Sequence, residues 1–282
     1  MLTGLDHIVI GVRNMERAME SFRRLGFHAY PGGEHPGRGT HNAVVLFDAD
    51  YFGLIAPQDV SLEGGQNLLA SIEANGEGIR TFVVGSDDLA TDVRALRERG
   101  VALQDPRPSD RRTPEGLHLE WMAANLSGSD ALPLYFNQHM TPVDVRKTQA
   151  PARAPHPNGA LRIGGVAIAV QDVAAAGKRY EQVLGRAPGP EHEDATWGGR
   201  AVVYSFPEGA VLLVRPEGKA GPAAEALAAR GEGPFGIAVR VQNPAATLRY
   251  HQEHGTAVYA DAVSAVVTRP EAAHGVWLAW VG

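Results

Sequence analysis

The 282-residue chain carries 26 Lys and Arg against 32 Asp and Glu, a formal net charge of −6, with 44% apolar and 21% charged residues. That composition suits one or two packed domains and excludes a disordered chain, and its mild acidity argues against nucleic acid, whose binding needs a clustered basic face. Cysteine is absent, which excludes disulfides, thiolate metal sites and a thiol nucleophile.

No apolar run approaches the roughly 18 residues that span a bilayer, and Met1–Val12 lacks the basic flank and long apolar core of a signal peptide. A cytoplasmic protein without a membrane partner is expected. The chain opens with a short β-branched strand, Leu5–Val12, followed by Asn14 as the N-cap of an amphipathic helix that stops at Gly26. The same unit returns three times. It starts at Arg80–Gly85 with a helix from Asp88 to Gly100, at Gly165–Val170 with Asp172 leading to Gly185, and at Gly236–Val241 with Asn243 and Gly255.

Each helix is followed by two further strand-like runs, His41–Phe47 and Tyr51–Pro57 in the first unit and Leu117–Ala123 and Leu134–His139 in the second. The third has Ala201–Phe206 and Val211–Arg215, the fourth Val263–Thr268 and Val276–Val281. A weaker second strand is expected near Phe27–Tyr30, Ala102–Gln104 or Ala257–Ala260, so each unit reads βαβββ. The units also pair: Gly39–Phe47 (GTHNAVVLF) matches Gly198–Phe206 (GGRAVVYSF), and NGEG at Asn75–Gly78 matches RGEG at Arg230–Gly233. Thr141–Gly159 has four prolines and no apolar periodicity, a linker between similar halves at 1–140 and 160–282.

Four βαβββ modules in tandem pairs resemble the vicinal oxygen chelate (VOC) superfamily. The opening D-H-I-V-I at Asp6–Ile10 resembles its first strand, and H-P-G-R-G-T-H-N-A at His35–Ala43 and H-P-N-G-A at His156–Ala160 resemble its glyoxalase-like domain subgroup. The resemblance implies an α+β fold of two glyoxalase/dihydroxybiphenyl-dioxygenase-like domains, each curling into a half-open barrel around a cavity. It also implies a divalent metal (Fe, Mn, Zn or Ni) on four inward positions per domain. In the first half these fall on His7, about Gly53, Thr81 and within Asn137–His139. In the second they fall on Gly165, about Leu212, Gly236 and about Ala279, none of which can hold a metal. The subgroup's glutamate in the Y-x-E-L-I context is replaced here, where Tyr51–Ile55 reads YFGLI. The second half is therefore expected to be a degenerate, structural domain, with the candidate active site in the first.

The residues themselves supply further candidates. Strand alternation places Ile8, Ile10 and Val12 on one face and His7 on the other, over the cavity. Arg38, inside a Gly-rich turn, is a candidate clamp for a carboxylate, with His41 and Asn42 beside it as substrate-binding candidates. His118 and Glu120, two apart on one strand, point the same way. They could complete a two-His–one-carboxylate set with His7, or Glu120 could act as a general base. Of Asn137, Gln138 and His139, one is expected to point inward, and Asn137 and Gln138 join the substrate-binding set. His251 and His254 read as surface residues, and His192 as part of a loop.

Two functions remain open. One is a metal-assisted lyase, isomerase or dioxygenase acting on a small oxygenated organic molecule. The other is a metal-free binding or resistance protein with a cavity lined by aromatics such as Tyr51, Phe52, Phe82, Tyr135 and Phe136. The partner in both is a small-molecule ligand, and a homodimer is left open.

Overall fold

The computed structural model describes residues 1–128, 131–146, 148, 155–259 and 266–282. Parts of the expected linker, the start of the strand expected over 263–268 and the end of the one expected over 257–260 lie outside the described residues. The first module comprises β1 (Leu2–Gly11), α1 (Met15–Arg24), β2 (Ala29–His35), β3 (Thr40–Leu46) and β4 (Tyr51–Pro57). After α2 (Glu63–Asn75), the second comprises β5 (Gly78–Ser86), α3 (Leu89–Glu98), β6 (Arg107–Arg112), β7 (His118–Asn125) and β8 (Leu134–His139). The short α4 (Val143–Arg146) leads on to β9 (Ala160–Ala169), α5 (Val173–Leu184), β10 (His192–Asp194), β11 (Gly199–Ser205) and β12 (Ala210–Pro216). Then follow α6 (Pro222–Arg230), β13 (Gly233–Val241), α7 (Pro244–Glu253), β14 (Val258–Tyr259), β15 (Val266–Thr268) and β16 (Trp277–Val281). Among the described residues no helix is long and apolar enough to cross a membrane.

The repeated cap-to-glycine spacing has a direct physical basis. Asn14 accepts from Arg17 N–H, Asp88 from Thr91, Asp172 from Ala174 and Ala175, and Asn243 from Ala246. Each side chain satisfies helix N–H groups that have no intrahelical partner. Gly26, Gly100, Gly185 and Gly255 all adopt positive φ, between 66° and 85°, the conformation that ends a helix at little steric cost only for glycine.

Both halves share one strand order. The first sheet runs β2-β3-β4-β1-β5-β8-β7-β6 and closes into a barrel through a β2–β6 bridge at Glu34 and Arg112. The second runs β10-β11-β12-β9-β13-β16-β15-β14 and stays open. Among the described residues its outer strands have three and two residues, where β2 and β6 have seven and six. The first half is thus closed rather than half-open. The second strands of the modules also lie later than expected, at Ala29–His35 and Arg107–Arg112, and Glu191–Asp194, read as loop, contains β10.

One apolar core runs through both halves. Ile8 and Ile10 of β1 pack with Phe22 of α1, and with Phe52, Phe82 and Phe136, in the same cluster as Val166, Ile168 and Trp280 of the second half. Phe27 stacks on Trp280 with ring centroids 5.3 Å apart. The H-P-N-G segment stitches the halves together: His156 Nε2 donates to Leu46 O (3.1 Å), and Asn158 Nδ2 donates to Leu25 O (2.8 Å). Asp50, 3% exposed, accepts the Ile163 N–H at 2.9 Å.

Candidate functional site

The barrel face of β1 carries a local irregularity that sets the site. In the β1–β5 ladder Leu5 pairs with Val84 and His7 with Val83, so Asp6 is the extra residue of a β-bulge. Regular alternation would send Asp6 and His7 to opposite faces. With the bulge, Asp6 Oδ2 lies 2.6 Å from His7 Nδ1. His7 is 6% exposed; its ring stacks on Tyr51 at 4.3 Å, and its Nε2 lies 3.1 Å from the Tyr135 hydroxyl.

β8 supplies the rest of the cluster. Tyr135, Asn137 and His139 share one face of the strand. His139 Nε2 lies 2.8 Å from Asp6 Oδ1, and Asn137 Nδ2 donates to Asp6 Oδ2 at 3.1 Å. Burial alone would raise the Asp6 carboxyl, but the charge and hydrogen bonds of His139 and His7 outweigh it and hold Asp6 well below the usual carboxylate range. Burial pushes His7 down against the pull of Asp6. The network therefore assigns an anionic Asp6 that accepts from Nδ1–H of a neutral His7, whose bare Nε2 accepts the Tyr135 O–H. Burial raises both neighbouring phenols, Tyr135 and, more strongly, Tyr51.

A second polar group lines the barrel from β2, β3 and β6. Arg111 is buried and donates to Gly32 O. Its charge reaches His7, His35 and Tyr51. His35 is hydrogen-bonded to Thr40 at 2.8 Å and is pushed down to about 4, first by burial and then by Arg38 and Arg111.

The donor set decides whether a divalent metal fits. At the first expected position His7 Nε2 faces the Tyr135 hydroxyl. Gly53 has no donor, and a Cβ placed there would lie 3.7 Å from the Tyr51 ring. Thr81 Oγ1 donates to Pro133 O at 3.0 Å, and Asn137 and His139 both bond to Asp6. Among the described residues no three His, Cys, Asp or Glu side chains are arranged to hold a metal ion. The residues present do not fit a resident divalent cation.

The other expected site residues scatter. Arg38 is exposed and donates to Ser109 Oγ at 2.8 Å. His41 is half-buried and lowered by burial; Asn42 places a buried Oδ1 against Gly32. Gln138 points away from Asp6: its Oε1 accepts from Leu89 N and its Nε2 donates to Asp87 O, fastening the start of α3. His118 bonds Asp110 at 3.0 Å, and Glu120 is exposed. They alternate with Leu119, which is buried opposite the buried Arg111, so they occupy the face of β7 turned away from His7. Phe52, Phe82 and Phe136 belong to the common core, leaving Tyr51 and Tyr135 as the aromatics at His7. His251, read as surface, is 0% exposed against Trp280 at 4.6 Å. His254 is exposed as expected, and His192, expected in a loop, is exposed on β10. Asp6 and Arg111 are not among the residues expected at the site; neither the bulge nor the inward face of β6 leaves a mark in composition.

In the second half the corresponding face is filled. Trp197, Phe235 and Trp277 pack there with Ala223 and Ala226 of α6. A Cβ on Gly236 would stand 2.6 Å from the Trp197 ring, and one on Gly165 would stand 3.0 Å from Leu212 Cδ1.

A model of the family described as glyoxalase-like domain matches residues 5–184. A triple mutant of 4-hydroxymandelate synthase from Streptomyces coelicolor shares the fold with a TM-score of 0.69 and 14% identity, covering 99% of this chain and 92% of that one. A hypothetical protein from Staphylococcus aureus does so with a TM-score of 0.68 and 13% identity, covering 98% of each. No curated protein sequence matches the chain.

Proposed function

The chain belongs to the glyoxalase-like domain family of the vicinal oxygen chelate superfamily, and from that premise we propose that its first half, residues 1–140, binds a small oxygenated organic molecule without a resident metal. The ligand rests against Tyr51, His7 and Tyr135, and residues 160–282 act as a structural buttress. The observation that carries this reading is the state of His7. Both of its ring nitrogens already have partners within the protein, Asp6 and Tyr135, and the positions expected to share a metal with it are Gly53 and a Thr81 turned to backbone. Tyr51 and Tyr135 are half-buried and set apolar area beside polar groups, the usual make-up of a small-molecule site.

One observation favours the metal-assisted lyase, isomerase or dioxygenase reading instead. Asp6 orients His7 through Nδ1, as carboxylates do for metal-bound imidazoles. Metal analysis and ligand-observed NMR on tag-free protein separate the two. The proposal expects substoichiometric Mn, Fe, Zn and Ni, fragment binding unchanged by chelator, and weaker binding in His7→Ala. Stoichiometric metal that His7→Ala loses would overturn it.

A further inference from the structure

The hydrogen-bond donors around Asp6 can be counted one by one, and the count restricts what the site can recognise. His7 Nδ1–H, His139 Nε2–H and Asn137 Nδ2–H all point at the Asp6 carboxylate. The Tyr135 O–H is directed at His7 Nε2, the nitrogen left bare by that tautomer. Every one of these donors is turned inward. Asn137 Nδ2 also lies 3.4 Å from His139 Nε2 with its second N–H, and the acceptors on this face of β8 with lone pairs to spare are Tyr135 Oη and Asn137 Oδ1.

Asn137 is 2% exposed, and its Oδ1 is buried without a partner. Its amide orientation is fixed, because a flip would set the oxygen against the Asp6 carboxylate. A buried acceptor without a donor is costly, and a ligand that supplies the donor removes that cost. Tyr135 and Asn137 stand two residues apart on one strand face, about 7 Å along it, so one small molecule can meet both.

We propose that β8 selects ligands presenting hydroxyl or N–H donors to Tyr135 Oη and Asn137 Oδ1, and that the bound molecule is a polyhydroxylated or N–H-bearing compound without a positive charge. A cationic ligand is disfavoured: the carboxylate of Asp6 is already met by its own donors, and the buried Arg111 guanidinium repels a second positive charge in the barrel. This inference rests on the metal-free binding reading above and adds the polarity of the ligand.

The test compares resorcinol with 1,3-dimethoxybenzene, which has the same ring and oxygens but no donor hydrogens. Both are titrated by ligand-observed NMR into the full chain, into Tyr135→Phe and into Asn137→Leu, with circular dichroism and melting temperature as controls for folding. The expected result is resorcinol binding about tenfold tighter to wild type, with the preference lost in Asn137→Leu and reduced in Tyr135→Phe. Tyr135→Phe keeps the ring, so it carries the test if Asn137→Leu fails to fold. Equal affinity for the two probes would overturn the donor inference while leaving the small-molecule reading standing. Binding of neither at millimolar concentration would count against that reading and the inference together. Stoichiometric binding of Zn2+ alone, abolished in Asn137→Leu, would reassign the acceptors to a cation and overturn the inference.

Discussion

The indole of Trp197 lies over Gly236, the residue that occupies in the second half the place of Thr81 in the first. The contact makes the absence of a side chain at Gly236 a packing requirement. Replacing Trp197 by Ala is expected to cost about 3–5 kcal/mol through lost burial and the cavity left behind. Gly236→Ala should cost about 1–3 kcal/mol through overpacking. Urea denaturation measures both, and ligand binding in the first half should be unaffected by the glycine variant. A wild-type midpoint in Trp197→Ala would rule out the indole as the filling of this face.

Asp50 links the two halves through the Ile163 N–H, and burial raises its carboxyl to about 7, against the opposing pull of Ile163 and Arg162. A carboxyl raised in the folded state favours folding most where it is protonated. Its contribution is full below the unfolded value near 4 and is lost as pH climbs to 7. Asp50→Asn keeps an oxygen for Ile163 and should therefore gain on wild type by about 2–4 kcal/mol between pH 4 and pH 7.5. Parallel denaturation curves for the two proteins across that range would refute the linkage.

His251 sits fully buried with both ring nitrogens unpartnered, and burial lowers it to about 4. For a histidine lowered in the folded state the sign is opposite. Its stabilising difference is present above the unfolded value near 6.5 and disappears as pH falls toward 4. His251→Leu should remove about 2–3 kcal/mol of acid sensitivity and raise stability at neutral pH by relieving unsatisfied polar atoms. Melting temperatures at pH 5 and pH 8 decide this, and an unchanged difference between them would count against it.

Gln138, His118 and Glu120 separate structure from site. Gln138→Ala should cost about 1 kcal/mol by releasing the start of α3, and His118→Ala and Glu120→Ala should change stability by less than about 0.5 kcal/mol. None of the three should alter fragment affinity. A tenfold loss of binding in any of them would return that residue to the site.

The modules were legible because their signals are local. An Asn or Asp cap, an amphipathic helix and a glycine stop satisfy backbone groups within a dozen residues, and all four caps are made as expected. The helices α2 and α6 left no such pattern. The first begins Glu63-Gly64-Gly65, and the second is alanine-rich, with Glu225 and Arg230 as its only charged residues, so little polar contrast sets its period. Of the hydrogen-bonded cluster around His7, the histidine itself and the run Asn137–His139 were legible in the sequence and the rest was not. Asp6 reaches the same face through a bulge that alternation cannot foresee. His118 and Glu120 lie apart from that cluster, and alternation could not foresee it because an outward polar strand face and a polar barrel lining have the same period of two. His251 misled for a related reason: it shares a helix face with Thr247, one turn earlier, and that face turns to the core.

The common core ties the two halves to each other. Phe27 needs Trp280, Leu25 O needs Asn158, and Asp50 needs Ile163, so the copy without a polar interior supplies parts of the wall behind the copy that keeps one. Truncation to residues 1–140 would leave Phe27 and the Asp50 carboxylate facing water. The two halves differ in what lines their interiors, yet they share one wall, so a change at Trp280, Asn158 or Ile163 is felt behind the site of the other half.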